Sequence, residues 1–357
     1  MTHENAFADG TLRSIRLDGK ITLLSPMSHI GESLGPDSYL ATDTLIGPDG
    51  MPCEVTLYSG NAFRGHLRDC GAVYLSNKLG GMRYSPDVFY LLFSGGALSG
   101  LQVVDIDMAR AYRRSLPFLS VFGGAVGSQI LPGKIKVGAM YPLVAECQRV
   151  LPAHLRQDKP PSWKRWTYEK SFTRTDDAKN EILRRHLLDT AQTAVPIEAP
   201  PEYLASGEPG EEEKDHKGGR RQKEARKRES MPQQMRYSVE MLAAGAVLYQ
   251  RIDLCDMTDL EVGAFVSALA EFSKHPYIGG KSGTGCGLVE IEYDWRPVGA
   301  AKPEGRFLAI SASDCLWLSR PAEEAKGKYD DFLIRLYEQY LEDHAPELKS
   351  LLAGADV

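Results

Sequence analysis

The chain has 357 residues, 43% of them hydrophobic, which is enough for one large core or two smaller ones. It carries a net charge of −6, six scattered cysteines with no C-x-x-C pair and eight histidines with no H-E-x-x-H, so the common zinc signatures are excluded. No run approaches 18 apolar residues and Met-Thr-His-Glu-Asn opens no signal peptide; a cytoplasmic protein with free thiols and no membrane partner is expected.

Residues 12–24 alternate, with Ile15, Leu17, Ile21 and Leu23 on one side and Ser14, Arg16, Asp18 and Lys20 on the other, predicting a strand. A loop rich in Gly, Pro, Ser and Asp is expected from Ser25 to Pro52. Ser59 is placed to N-cap a helix whose buried stripe is Phe63, Leu67, Cys70 and Tyr74. Asn61, Arg64 and Arg68 fall on a neighbouring stripe at i, i+3 and i+7, where all three would face one ligand. Helices are predicted near 86–94 and 105–116, and a strand near 134–146.

Residues 150–236 read as an insertion. Its first part mixes bases, among them Lys164 and Arg165, with Trp163, Trp166, Tyr168 and Phe172. A helix is predicted at 176–190, and a mobile stretch at 195–232, where charge is dense and large apolar residues are few. Strands are expected at 236–254, with a weak spot at Ala243-Ala244-Gly245. Thr258-Asp-Leu-Glu261 is a capping box for a helix with Val262, Phe265, Val266, Leu269 and Phe272 on its apolar face. After a glycine loop, Val289, Ile291, Tyr293 and Trp295 alternate as a strand; a short strand near 306–312 and a helix near 324–343 close the chain.

The glycine loop packs five glycines and one lysine into Gly279–Gly287. Glycine lets backbone amides approach a ligand, and amides beside a lysine suit phosphate oxygens. Gly280-Lys281-Ser282 supplies the end of a Walker A loop, but His275 stands where its leading glycine belongs. The loop also lies between a helix and the following strand, the reverse of a P-loop, so nucleotide hydrolysis is rejected. The plain alternative is a ligand-free turn.

Charge is segregated. Lys214–Arg228 holds eight Lys/Arg and two acids, Arg156–Arg174 six and two, and Pro321 to the C-terminus nine acids and four bases. Two basic segments and an acidic end fit a chain that meets a polyanion on one side and protein on another, although solvated faces would give the same runs. The element order, strand, helix, long excursion, strand, strand, helix, glycine loop, strand, is an α+β, ferredoxin-like or RRM-type β-α-β-β-α-β plan with an expanded middle.

Three segments in this order carry a resemblance: Pro26-Met-Ser-His-Ile-Gly31, Ser59-Gly-Asn-Ala-Phe-Arg-Gly-His-Leu-Arg68 and the Gly279–Gly287 loop. The chain resembles the RAMP superfamily of CRISPR-associated proteins. Within it, the chain is similar to the repeated backbone subunit of class 1, multi-subunit effector complexes. Leu131-Pro-Gly-Lys-Ile-Lys-Val-Gly138 and Val239-Glu-Met-Leu-Ala-Ala-Gly245 extend the likeness, which spans roughly 12–295 and is most like the type IV version. The resemblance implies a palm formed by 1–149 and 237–320, a thumb insertion at 150–236 and an acidic helix at 321–357. It implies polymerisation of copies along guide RNA (crRNA) in a helical array, contact with other effector subunits, and contact with target nucleic acid through the guide. No cofactor and no metal are expected.

The candidate RNA-binding residues are Ser28, His29, Asn61, Arg64, Arg68, Lys134, Lys136, Lys164, Arg165, Gly280, Lys281 and Ser282. For each a bland reading stands beside this one: a solvated helix face for Asn61, Arg64 and Arg68, a core histidine for His29, an exposed strand face for Lys134 and Lys136. Trp163 and Trp166 read first as packing residues and second as stacking platforms. RNA-cutting type III relatives carry a catalytic aspartate after the first strand, where Asp43 falls, with Asp37 and Asp49 nearby. A lone loop aspartate is usually a turn residue, and the type IV likeness argues for binding without cleavage. An endoribonuclease acting through Asp43, and a guide-processing ribonuclease using His29, are the alternatives.

Overall fold

The computed structural model describes residues 12–80, 84–96, 105–127, 129–173, 236–300, 302–313 and 315–336. The predicted helix at 176–190, the charged stretch 195–232 with its basic run, and the last helix beyond 336 lie outside the described residues. The chain divides into two compact units, Met1–Lys170 with Val239–Val357, and Ser171–Ser238. In the second, Phe172 and Tyr237 stack with centroids 5.4 Å apart.

The first half contains β1 (Arg13–Leu23), β2 (Ile30–Leu34), β3 (Asp37–Leu40), β4 (Thr42–Ile46), β5 (Pro52–Thr56), α1 (Gly60–Lys78), α2 (Pro86–Ser94), α3 (Ile106–Ser115) and α4 (Pro117–Phe122). Then come β6 (Gly124–Val126), β7 (Gln129–Leu131), β8 (Ile135–Val137), β9 (Tyr141–Pro142) and β10 (Thr167–Thr173). The second half holds β11 (Arg236–Leu242), β12 (Val247–Met257), α5 (Asp259–Phe272), β13 (Val289–Pro297), β14 (Gly305–Ile310), β15 (Leu316–Leu318) and α6 (Arg320–Arg335).

The fold is α+β. The main sheet runs β15-β14-β13-β1-β12-β8, with β9 beside β12. Its centre, β13-β1-β12-β8, flanks the first strand by the last and third strands of the predicted plan, all pairs antiparallel. Alternation dictates this: Leu17 sits between Ile252 and Trp295, and Ile21 between Leu248 and Ile291, so one face of the sheet is continuously apolar. That face shares one core with Phe63 and Leu67 of α1, and Phe265, Leu269 and Phe272 of α5. Each such fully buried side chain contributes roughly 1.5–3 kcal/mol. α5 packs on α1, α4 and α6. Gly263 permits the last contact, since a Cβ there would lie 2.2 Å from the Ala325 carbonyl oxygen.

The Thr258–Glu261 capping box forms in both directions. α6 starts four residues before the predicted point, because Ser319 takes the N-cap position and Pro321 the first turn, where a missing N–H costs nothing. The expected loop 25–52 is instead two hairpins, β2–β3 and β4–β5. Every residue of β2 is exposed, so it has no buried face to leave a period-two signal. The predicted strand at 134–146 is broken into β8 and β9. Gly138 donates its N–H to the Arg251 carbonyl, and the first turn of α1 presses against the break, where a Cβ on Gly60 would lie 2.3 Å from the Val137 oxygen. Trp163 packs: it is buried in a second core with Val55, Val144 and Leu151, and its indole N–H donates to the Glu54 carbonyl at 2.8 Å. All six cysteines are free thiols, and burial pushes those of Cys70 and Cys147 up to about 12. Among the described residues no helix is long and apolar enough to cross a membrane.

Candidate nucleic-acid interface

The chain leaving β1 brings the first two motifs to the glycine loop. Gly280 donates its N–H to the Ser28 carbonyl at 2.6 Å, and Gly287 donates to the Pro26 carbonyl at 2.8 Å. Gly287 has φ +88°, and a Cβ there would lie 1.9 Å from the Ile278 oxygen; only glycine closes the loop this tightly. Lys281 also takes the left-handed conformation, φ 64°, and starts a single 3-10 turn, Ser282–Thr284. The amides of Ser282 and Gly283 have no acceptor among the described residues, an arrangement suited to an anion.

The second motif opens α1. Ser59 caps it, its hydroxyl accepting from the Ala62 amide at 3.2 Å. There is no acid in the first turn, so the positive end of a 19-residue helix is left uncompensated. His29 joins the two motifs. Its Nε2 accepts from the Ser59 amide at 3.5 Å, a long contact, and its ring meets Tyr58 edge-on at 4.8 Å. Burial holds the His29 pKa below its ordinary value, so the ring is neutral at pH 7, with its proton on Nδ1. Ser28 is fully buried and its hydroxyl has no partner among the described residues.

Three hollows border α1, together called the groove here, and neighbouring ones share lining residues. The first, about 590 Å³, lies between α1 and the glycine loop and is lined by Asn61, His66, Asp69, His275, Tyr277 and Ser282, among others. The second, about 700 Å³, shares Asn61 and continues past Arg64, Lys136 and Arg251 to the β8 edge. The third, about 450 Å³, shares Arg64, Pro132 and Gly133 and ends at Arg68 and Gly95–Gly96.

The candidate residues divide within it. Asn61 and Lys136 are exposed, and Lys136 makes no salt bridge among the described residues. Arg64 lines two parts of the groove; one terminal nitrogen donates to the Phe122 carbonyl, while its buried Nε has no partner among the described residues. Arg68 lines the third part and is also held within the fold. Its guanidinium donates to the carbonyls of Leu91 at 3.2 Å and of Phe122 and Gly123 at 2.7 Å each. It staples the ends of α2 and α4 to α1, and its donors are committed to backbone rather than open to a ligand. Burial, then the neighbouring Arg64 charge, lowers its pKa to about 10, which leaves it cationic at neutral pH. Lys134 is likewise committed: its ammonium is 2.8 Å from Glu261 and donates to the Asp256 carbonyl. It also precedes β8 rather than alternating with Lys136 on a strand.

Of Gly280, Lys281 and Ser282, Ser282 lines the first part of the groove, together with Gly279, and Gly280 and Lys281 do not. Lys164 and Arg165 are exposed on a 3-10 turn, Trp163–Trp166, and do not line the groove. Asp43 is not in a loop. It lies on β4 opposite Val55, exposed, its carboxylate accepting from the Thr44 amide at 2.8 Å. Asp49 accepts from the Met51 amide in the β4–β5 turn, and Asp37 lies on β3.

Sequence reasoning missed Arg251, His66, Asp69 and Tyr277. His66 stands inside a motif already quoted, and Asp69 follows it by three residues on the same helix face. Arg251 gave no signal beyond strand alternation. The outer face of the sheet, where RRM-type modules stack bases on aromatic rings, is laced with ion pairs. Arg16 and Arg251 both reach Asp253 at 2.8 Å, Arg296 lies 3.3 Å from Asp18, and the Tyr249 hydroxyl donates to Asp18 at 2.7 Å. Burial pushes the Asp253 carboxyl up, but bonds from Arg251 and Arg16 outweigh it and hold it below the usual range.

No protein-family model and no curated protein matches this sequence. A chain of a solved structure described as "Type IV-B CRISPR Complex" is similar in fold, with a TM-score of 0.49 and 20% identity, covering 78% of this chain and 90% of that chain.

Proposed function

We propose that this chain is a non-catalytic backbone subunit of a multi-subunit CRISPR effector complex, holding the sugar-phosphate backbone of guide RNA in the α1 groove. The observation that carries this is convergence. Three motifs separated by about 30 and 220 residues in sequence meet at Ser28–Gly280 and His29–Ser59, and the groove they border runs on past Lys136. Open amides, an uncompensated helix N-terminus and side-chain cations together are what a polyanion requires. Copies of the chain lie side by side along the guide, with other effector subunits at the ends and target nucleic acid paired to the guide. Asp43, capped by its neighbour's amide on an exposed strand away from the groove, is given a structural role in this reading.

The test is binding of unstructured single-stranded RNA by the full-length protein, read by fluorescence anisotropy, with particle mass from light scattering. Asn61→Asp, Lys136→Glu and Lys281→Glu combined should weaken binding at least tenfold and abolish RNA-dependent assembly, with an unchanged circular dichroism spectrum. Arg68 is unsuitable for this purpose, because its loss would disturb the fold. Unchanged affinity and particle mass in the triple variant would overturn the assignment.

A further inference from the structure

The two edges of the main sheet carry opposite chemistry. At one edge stands β15, paired only with β14. Trp317 of β15 lies opposite Ala309, which lies opposite Glu292 of β13, so the three share one face. A hollow of about 480 Å³ is lined there by Trp317, Ala309, Asp294 and Arg306. Trp317 is 51% exposed, a large ring to leave in water. Glu290, Glu292 and Asp294 alternate onto this face of β13. Against these three carboxylates stand two cations. Arg306 lies 3.0 Å from Glu292 and 3.8 Å from Asp294, and Lys20 of β1 stands opposite Glu292.

The opposite edge is β9. Leu143, Val144, Cys147, Leu151 and Trp163 pack there in the second core, with Tyr249 of β12 and Tyr141 of β9. The outer surface of this segment is basic. Arg149, Arg156, Lys159, Lys164 and Arg165 are exposed and make no salt bridge among the described residues. Asp158 is the single acid from 149 to 165. None of the five bases lines the groove.

The order β15-β14-β13-β1-β12-β9 spans five strand spacings, roughly 24 Å at about 4.8 Å each. Exposed charges at physiological salt act over only about 8 Å. The bases of one copy therefore do not neutralise the acids of the same copy. The carboxylates beside Trp317 repel a phosphate backbone, whereas the face of an indole suits a guanidinium.

On the reading that copies line up along guide RNA, we infer that neighbouring copies join through these two edges, Lys164 and Arg165 of one copy seated on Trp317, Glu292 and Asp294 of the next. The contact uses two different surfaces of one chain, so it repeats from copy to copy and extends an array.

The experiment follows the full-length protein on a long unstructured RNA by light scattering, and on a short RNA that holds one copy by fluorescence anisotropy. One variant carries Glu292→Lys and Asp294→Lys, the other Lys164→Glu and Arg165→Glu. Each alone should need at least about tenfold more protein to assemble on the long RNA, because like charges then face each other. Each should bind the short RNA as wild type does. Mixed in equal amounts, the two variants set acid against base at every junction and should regain the wild-type particle mass. Trp317→Ala should raise the protein needed for assembly by at least about twofold, the loss of a cation–ring contact. Wild-type assembly by both charge variants overturns the contact. Losses that mixing does not restore also overturn it, since the two edges then do not meet. Weaker short-RNA binding by the Lys164→Glu, Arg165→Glu variant overturns it as well, and makes those bases an RNA contact. A wild-type chain that binds RNA one copy at a time and gains no further mass removes the array reading along with the contact.

Discussion

Replacing Arg68 by methionine keeps the aliphatic stem and removes only the guanidinium. Three carbonyl oxygens, of Leu91, Phe122 and Gly123, then lose donors at 2.7–3.2 Å. A hydrogen bond to a charged group contributes about 1.5–3 kcal/mol. Three bonds to one group do not add fully, so the loss is taken as about 3 kcal/mol. The loss falls on the ends of α2 and α4, which depend on this staple, and not on the β1–β12–β13 centre of the sheet. Amide hydrogen exchange in the RNA-free protein resolves this difference. Peptides covering 86–96 and 117–126 should exchange at least about a hundredfold faster, since 1.4 kcal/mol is a factor of ten, while β1 and β12 peptides stay protected. Arg64→Met removes one contact to a carbonyl that keeps its Arg68 donor, so it should change the same peptides less than Arg68→Met does. Equal protection in Arg68→Met and wild type would refute the staple and return Arg68 to the ligand-facing stripe.

Lys136→Ala should flatten the dependence of log affinity on log salt by about 0.7 for single-stranded RNA, the loss of one phosphate contact; an unchanged slope removes Lys136 from the RNA path. Asp43→Ala, at an exposed strand position, should leave guide binding and target interference intact; a complex that cuts RNA before the substitution and not after it would establish the nuclease reading. The His29 pKa is lowered by burial, so below its ordinary 6.5 the unfolded chain binds the proton first and stability rises with pH through that window. Urea midpoints should therefore be higher at pH 7.5 than at pH 5.5, and His29→Phe, which keeps a ring against Tyr58, should shrink the difference; an unaltered difference would show that His29 titrates normally.

The sequence by itself determined the elements whose signal is local. The 3.6-residue stripe of α1, the capping box of α5 and the strict alternation of β1 and β13 encode burial one residue at a time, and those elements form where the pattern places them. Strand order followed from the same alternation, because a sheet with one apolar face and two helices to cover it has few ways to pair. The β2–β3 hairpin was illegible, since β2 is exposed along its length and carries no hydrophobic period. The motifs were legible as motifs, and glycine spacing announced a tight loop.

Which charges are open was decided only in three dimensions. Arg64 and Arg68 share a helix face, yet Arg68 is consumed by backbone carbonyls of helices 23 to 55 residues away. Lys134 and Lys136 are two residues apart, yet one is neutralised by Glu261 from another element and the other makes no salt bridge among the described residues. A cation's availability depends on which acceptors folding brings within 3 Å of it. Those acceptors come from distant parts of the chain, so no window of sequence contains them.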